Sequence, residues 1–178
     1  MLRLFIGTEV DWSFRTQPSG WDAGQVVPRG RVLGGSSAIN GMLYSRGNPD
    51  DYDRWAENLG ITGWAYRDVL PFFKKSERND MSGEEVDAEL HSRSGPLDVQ
   101  HYPYRDENVD ILLEAFKESG LEFNPDHTGR TQTGSTLLQF TQRDGHRRSA
   151  NRYSRPVGAR LKAVQGRIET EITGKMNA

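Results

Sequence analysis

The sequence predicts an α+β fold, on three observations: helical periodicity in three capped stretches, strand-like alternation in several short runs, and one glycine-dense loop set among them. The helical stretches are 48–60, 66–77 and 106–120, and the strand-like runs are 9–16, 25–29, 97–100 and 134–143. The loop runs from Pro28 to Tyr44 and holds the densest group of special-purpose residues, so the rest reads as its support.

Residues 9–16 alternate apolar and polar through Val10, Trp12 and Phe14, the period of a half-buried strand, and Pro18-Ser19-Gly20 ends it. Gln25 to Arg29 reads as a second short strand with Pro28 at its edge or end. In the adjoining loop, Gly34-Gly35 lets the backbone bend where a side chain would forbid it and lets a ligand approach the main chain. Ser36 and Ser37 suit the N-cap of a helix whose first N–H groups would favour a phosphorylated or carbonyl-rich ligand. By itself Gly-Gly-Ser-Ser fits a plain turn more readily than a cofactor cradle.

Asn48-Pro49-Asp50-Asp51 starts a helix with a cap, a proline at the first position and two carboxylates against the dipole. Tyr52, Trp55, Ala56 and Leu59 share one face for core packing, and Gly60 suits the stop. A second helix is expected from Tyr66 to Glu77, with Pro71 kinking it or confining its regular part to the later residues. Residues 79–94 turn acidic and small, without period, and are expected as an exposed loop. Leu97 to Gln100 reads as a strand, and Asp106 to Ser119 as a helix with Val109, Leu112, Leu113 and Phe116 on one face and Gly120 as terminator. Asn124-Pro125-Asp126 is a turn, and Gly134 to Arg143 is one strand of a hairpin reversing at Asp144-Gly145. Arg167 to Thr173 alternates like a last strand before a polar tail.

The 178 residues, 34% of them hydrophobic, suffice for one domain with a core. A mean hydropathy of -0.76 is polar for a compact enzyme domain and suggests that part of the core is missing. Twenty-three basic and twenty-five acidic residues are interspersed, so no patch favours nucleic acid or an acidic membrane surface. Without cysteine, disulfides and thiolate metal sites are excluded. No stretch matches a signal peptide or a membrane span, so the chain is expected to be soluble, its location unassigned.

The loop and the segments after it resemble a known family. Gly30-Arg31-x-Leu33-Gly34-Gly35-Ser36-Ser37-x-Ile39-Asn40, with Tyr44, Gly47 and Asp53 beyond it, is similar to the first signature of the glucose-methanol-choline (GMC) oxidoreductases. Asp51-Tyr52-Asp53-Arg54-Trp55-Ala56, Gly63-Trp64-Ala65-Tyr66, the stretch from Val69 to Glu77 and Ser94-Gly95-Pro96-Leu97 resemble the family's next segments in order. Residues 146–156 resemble its Arg-x-Ser-Ala-Ala-x-Ala-Tyr-Leu-x-Pro segment, with one residue fewer between Ser149 and Tyr153; on a helix that deletion turns later side chains by about 100°. The likeness covers roughly residues 9 to 156.

The resemblance implies a partial FAD-binding domain, Rossmann-type in the parent, spanning 1–178 as a single unit. It lacks the Gly-x-Gly-x-x-Gly turn that holds the ADP half of FAD, and the catalytic histidine region is expected beyond Ala178, so no catalytic residue is assigned. Carried over residue by residue, the FAD contacts fall at Val32, Gly34, Gly35, Ser36, Asn40, Gly41, Met42 and Leu43. Ala38 and Ile39 stand where some members carry a flavin-linking histidine, so attachment would be non-covalent. The implied activity is hydride transfer from a CH-OH carbon of an alcohol, sugar or choline-like small molecule to FAD, with this chain alone inactive. The alternative is a non-catalytic truncated relative acting as a binding or interaction module.

Outside the loop, chemistry is sparse in the sequence. His91, His101, His127 and His146 have no metal-ligand spacing and read as surface or turn residues. Gly35-Ser36-Ser37 lacks the nucleophile elbow. The arginine-rich stretch 147–160 reads as a solvated helix face, with a phosphate contact as the lesser reading. The isolated chain is expected to be marginally stable, since its strands lack neighbours.

Overall fold

A computed structural model describes residues 6–154 apart from positions 22, 82, 84 and 103; the expected strand over 167–173, the tail and the later arginines of 147–160 lie outside the described residues. Within them the α+β expectation holds, as short helices and three small sheets.

The first sheet pairs β1 (Phe14–Arg15) with β2 (Val26–Val27), antiparallel. Backbone bonds extend the pairing on both sides, from Thr16 N–H to the Gln25 carbonyl (3.0 Å) and from Trp12 N–H to that of Arg29 (2.9 Å). The strand expected over 9–16 is cut to two regular residues because Ser13 has a left-handed φ of 49°, which breaks the pleat. Trp12 and Phe14, which the alternation places on one side, stack on each other, and Phe14 is exposed.

Helix α1 (Pro49–Asn58) begins as expected: the Asn48 side chain accepts the Asp50 N–H at 3.0 Å, a cap worth about 1 kcal/mol. Helix α2 (Tyr66–Ser76) is tied to it by Tyr66 N–H donating to Asp53 Oδ1 at 2.8 Å. Pro71 does not confine α2 to its later residues. It lies in the second turn, where only the Arg67 carbonyl loses its partner, and the helix continues through it. Tyr52 packs edge-on against Trp55 and Phe73, but Trp55 is 40% exposed and Leu59 67% exposed, so the expected core face of α1 is covered only around Tyr52.

α2 runs straight into β3 (Glu77–Asn79), which lies parallel to β4 (Leu97–His101); β4 is antiparallel to β5 (Gln139–Phe140). Val99 of β4 is fully buried. The exposed loop expected over 79–94 is corrected here: Asn79, Met81, Val86, Leu90 and His91 are all buried. Its apolar residues recur at irregular intervals because the segment wraps the sheet as a covering loop, and a periodicity search cannot register that.

Helix α3 (Glu107–Glu118) is capped by Asp106, whose side chain accepts the Asn108 N–H at 2.9 Å, and is closed by Gly120 at φ 86°. None of its residues is buried. The strand expected over 134–143 is two: β5 belongs to the central sheet, while β6 (Gln142–Arg143) pairs with β7 (His146–Arg147) across a turn in which Asp144 and Gly145 both have positive φ. A short helix α4 (Asn151–Ser154) comes last among the described elements.

Six apolar side chains are buried among the described residues, against twelve polar or charged ones, and Gln139, Glu77, Asn79 and Asp98 are among the largest fully buried. The interior of the described residues is thus built more from polar and charged side chains than from apolar ones.

Candidate functional site

The glycine loop is entered through a carboxylate staple. Buried Asp11 accepts N–H bonds from Gly7, Ser13 and Arg29 at 2.9–3.0 Å, and these bonds, led by that of Gly7, hold its pKa down to about 2. Asp11 also bridges Gly30, where the loop begins. The backbone then doubles back so tightly that a Cβ on Gly30 would lie 2.1 Å from the Gly35 carbonyl oxygen. Gly34 (φ 93°) and Gly35 (φ 56°) make the bend, as their lack of side chains allows.

The expected serine-capped helix is a single 3-10 turn, Gly35–Ala38, whose N-cap is Gly34 with no side-chain cap. Ser36 and Ser37 fold the loop upon itself. Ser36 Oγ accepts the Gly30 N–H at 3.2 Å, and Ser37 Oγ donates to the Gly34 carbonyl at 2.5 Å while accepting the Ala150 N–H at 2.9 Å. So short a turn presents no helix dipole to an anion.

Of the eight residues assigned to FAD by resemblance, none is buried: Val32, Ser36, Asn40, Gly41 and Leu43 are exposed, and Gly34, Gly35 and Met42 are half-buried. Ile39, between them, turns inward and anchors the loop. Gly35 and Gly41 have nothing within 4 Å of an added Cβ. Gly41 does not even have a positive φ, so the chain itself gives no steric reason for a glycine there. Met42 adopts a left-handed φ of 64°, uncommon for so large a side chain. It is held there from both sides: Asn40 Oδ1 accepts the Met42 N–H at 3.0 Å, and the Met42 carbonyl accepts from Thr141 N–H at 2.7 Å and Thr141 Oγ1 at 3.2 Å.

The arginines of 147–152 do not form a solvated face. Arg148 and Arg152 reach the buried Asp98 carboxylate at 2.8 and 3.5 Å, joined there by Arg78 and Arg143, and Arg147 donates from Nη1 to Asn40 Oδ1 at 2.8 Å and to the Ser37 carbonyl at 3.3 Å. Thr141 and Arg147 therefore hold the candidate loop, a role that reasoning from sequence missed. The signal for Arg147 was the family-like segment 146–156, which Thr141 precedes.

Behind the loop lies a buried ionic network, and it overturns the surface assignment of His91. Tyr44 Oη donates to Glu77 Oε2 at 2.7 Å, and Arg46 pairs with the same oxygen at 2.5 Å. His91 Nδ1 meets Glu77 Oε1 at 2.7 Å and Nε2 meets Asp126 Oδ2 at 2.8 Å. Both ring nitrogens can donate only in the imidazolium form. Burial opposes that charge, but the bonds to Asp126 and Glu77 outweigh it and raise the His91 pKa. For Asp126, burial is likewise outweighed by the His91 bond, and its pKa falls to about 2. Two cations and two anions balance, leaving no net charge in the interior.

These shifts fix the sign of the pH dependence. His91 titrates higher when folded than when unfolded, so its contribution is complete below the ordinary imidazole range and is lost as pH rises through the raised value. Asp126 contributes above the ordinary carboxylate range and is lost as pH falls toward about 2. Urea midpoints measured against pH are expected to fall on both flanks, and His91→Gln should flatten the alkaline flank. An alkaline flank unchanged by that substitution would refute the imidazolium assignment.

Elsewhere a cleft of about 740 Å³ lies beside α1 and α2, lined by Asp53, Tyr66, Leu90 and Arg130 among others; no loop residue from 30–44 borders it. Among the described residues no helix is long and apolar enough to cross a membrane, and no His, Asp or Glu group is disposed to hold a metal.

The chain is similar to known proteins over most of its length. A family model described as GMC oxidoreductase matches residues 22–168. The chain is 43% identical over 167 residues to a glucose dehydrogenase [FAD, quinone] of Drosophila melanogaster, covering 90% of this chain and 26% of that protein. It is 42% identical over 161 residues to an oxygen-dependent choline dehydrogenase of Brucella anthropi, covering 88% and 28%. Among solved structures, pyridoxine 4-oxidase from Mesorbium loti superposes with a TM-score of 0.69 at 29% identity, covering 85% of this chain and 30% of that one. An FAD-dependent oxidoreductase from Chaetomium thermophilum gives 0.72 at 29% identity, covering 81% and 27%. The chain thus spans about a quarter of the length of the curated relatives it matches.

Proposed function

This chain belongs to the GMC oxidoreductase family, and from that premise we propose that loop 32–43 is the flavin-facing part of an FAD site in an oxidoreductase acting on CH-OH groups of small alcohols, sugars or choline-like donors. FAD, when bound, supplies the hydride acceptor. The chain's own part is to bring bare backbone at Gly34, Gly35 and Gly41 and the Asn40 carboxamide against a planar ligand, with Val32 and Leu43 offering exposed apolar contact. The proton-accepting base belongs to a portion of the family pattern that 1–178 does not match, so the chain alone is proposed to bind without turning over. In the parent the loop would abut a Rossmann-type domain.

The single observation that carries this reading is Gly41. An exposed glycine with an ordinary φ and empty space at its Cβ position is unfavourable for the free chain relative to alanine. A ligand surface lying against that backbone accounts for the bare position. Gly41→Leu is accordingly expected to leave the urea midpoint within about 0.5 kcal/mol of wild type while weakening FAD binding at least about tenfold, read by quenching of flavin fluorescence on titration. Wild-type affinity in Gly41→Leu would reject the loop as the contact surface.

A further inference from the structure

Arg147 differs from its basic neighbours. Arg78, Arg143, Arg148 and Arg152 converge on Asp98. Arg147 is half-buried, and among the described residues no carboxylate pairs with it; its bonds go to the neutral oxygens of Asn40 and Ser37, and desolvation alone lowers its pKa. Leaving a partly desolvated guanidinium without an anion is costly, and here its two bonds fall on the loop that turns toward the cofactor.

From this geometry we infer that Arg147 is a positioning residue of the cofactor site, which locks the Asn40 carboxamide so that its NH2 group faces outward as a hydrogen-bond donor. The inference rests on the FAD reading above. Asn40 Oδ1 is occupied twice, by Arg147 Nη1 at 2.8 Å and by Met42 N–H at 3.0 Å. The reverse flip would set the amide NH2 against the guanidinium and the Met42 N–H, two donors facing a donor. The oxygen is thereby committed inward, and among the described residues no acceptor takes the Asn40 Nδ2 hydrogens. The ligand atom that meets Asn40 is therefore an acceptor, a carbonyl oxygen or an unprotonated ring nitrogen. The second Arg147 bond, to the Ser37 carbonyl at 3.3 Å, holds the 3-10 turn in the same posture.

Two variants separate posture from recognition. Arg147→Ala is expected to raise amide hydrogen exchange across 34–42 by about tenfold or more, the loss of a charge-assisted bond, while β4 amides keep their protection, and to weaken FAD binding by a similar factor. Asn40→Asp retains an oxygen for Arg147 and Met42 but presents an acceptor where the donor stood. Loop protection should persist in it while FAD affinity falls about tenfold or more, a split that a merely structural role would not produce. Unchanged exchange in Arg147→Ala overturns the positioning role, and wild-type FAD affinity in Asn40→Asp overturns the donor assignment. Should Arg147→Ala also expose β4, Asn40→Ala, which removes the carboxamide while Arg147 keeps its bond to the Ser37 carbonyl, carries the exchange test: faster exchange across 34–42 supports the tie and unchanged exchange overturns it. Failure of the wild-type chain to bind FAD would instead refute the cofactor reading, and the exchange measurement would still decide whether Arg147 holds the loop.

Discussion

Glu77→Ala is expected to lower the free energy of unfolding by about 3–5 kcal/mol, a third or more of what a small domain commonly has. Glu77 is fully buried and is the hub of the interior: one oxygen takes Tyr44 and Arg46, the other takes His91. Removing it strands the Arg46 guanidinium and the His91 imidazolium away from water, and leaves the Tyr44 hydroxyl without its acceptor. The loss comes from those uncompensated groups more than from any intrinsic strength of the pairs. Urea unfolding followed by tryptophan fluorescence reads the effect directly. Glu89→Ala is the control, because that carboxylate is 81% exposed in its pair with Arg130 and its removal should stay within about 0.5 kcal/mol. Similar midpoints for the two variants would mean that the Glu77 network is solvated rather than buried.

Gly30→Ala is expected to abolish FAD binding and to cost about 1–3 kcal/mol of stability. The new Cβ would lie 2.1 Å from the Gly35 oxygen, 2.4 Å from its carbonyl carbon and 2.8 Å from the Ser36 nitrogen. These are backbone atoms, which cannot rotate aside, so the whole bend at Gly34 and Gly35 has to move. Gly35→Ala makes the informative comparison. Its φ of 56° brings a local penalty of about 1–2 kcal/mol, but nothing lies within 4 Å of the added carbon, so the loop keeps its course. Equal stability of Gly30→Ala and wild type, measured in the same urea titration, would show that 30 and 35 are not in contact.

Local chemistry in the sequence located most elements, and non-local chemistry escaped it. Asn48, Asp106 and Asp144-Gly145 announce their caps and turn through their own backbones, and each does so in the structure. The same local logic failed at residues 79–94, where burial is decided by a sheet that pairs Glu77 with Leu97, twenty positions on. His91 looked like a turn histidine because its partners, Glu77 and Asp126, are fourteen and thirty-five positions away. The loop residues were legible by likeness alone. What holds them was not, since Thr141, between β5 and β6, and Arg147, in β7, act from about a hundred positions downstream.

Helix α3 stands with Ile111 and Leu112 more than half exposed and Phe116 beside them, and none of its twelve residues is buried. An isolated peptide of that length is barely helical in water, so the segment draws its order from its two ends and from the half-buried Val109 and Leu113. Any surface that sheltered those hydrocarbon side chains would do more than adhere to it: winding and docking would become one event, and α3 would report by its own order whether the neighbour had arrived.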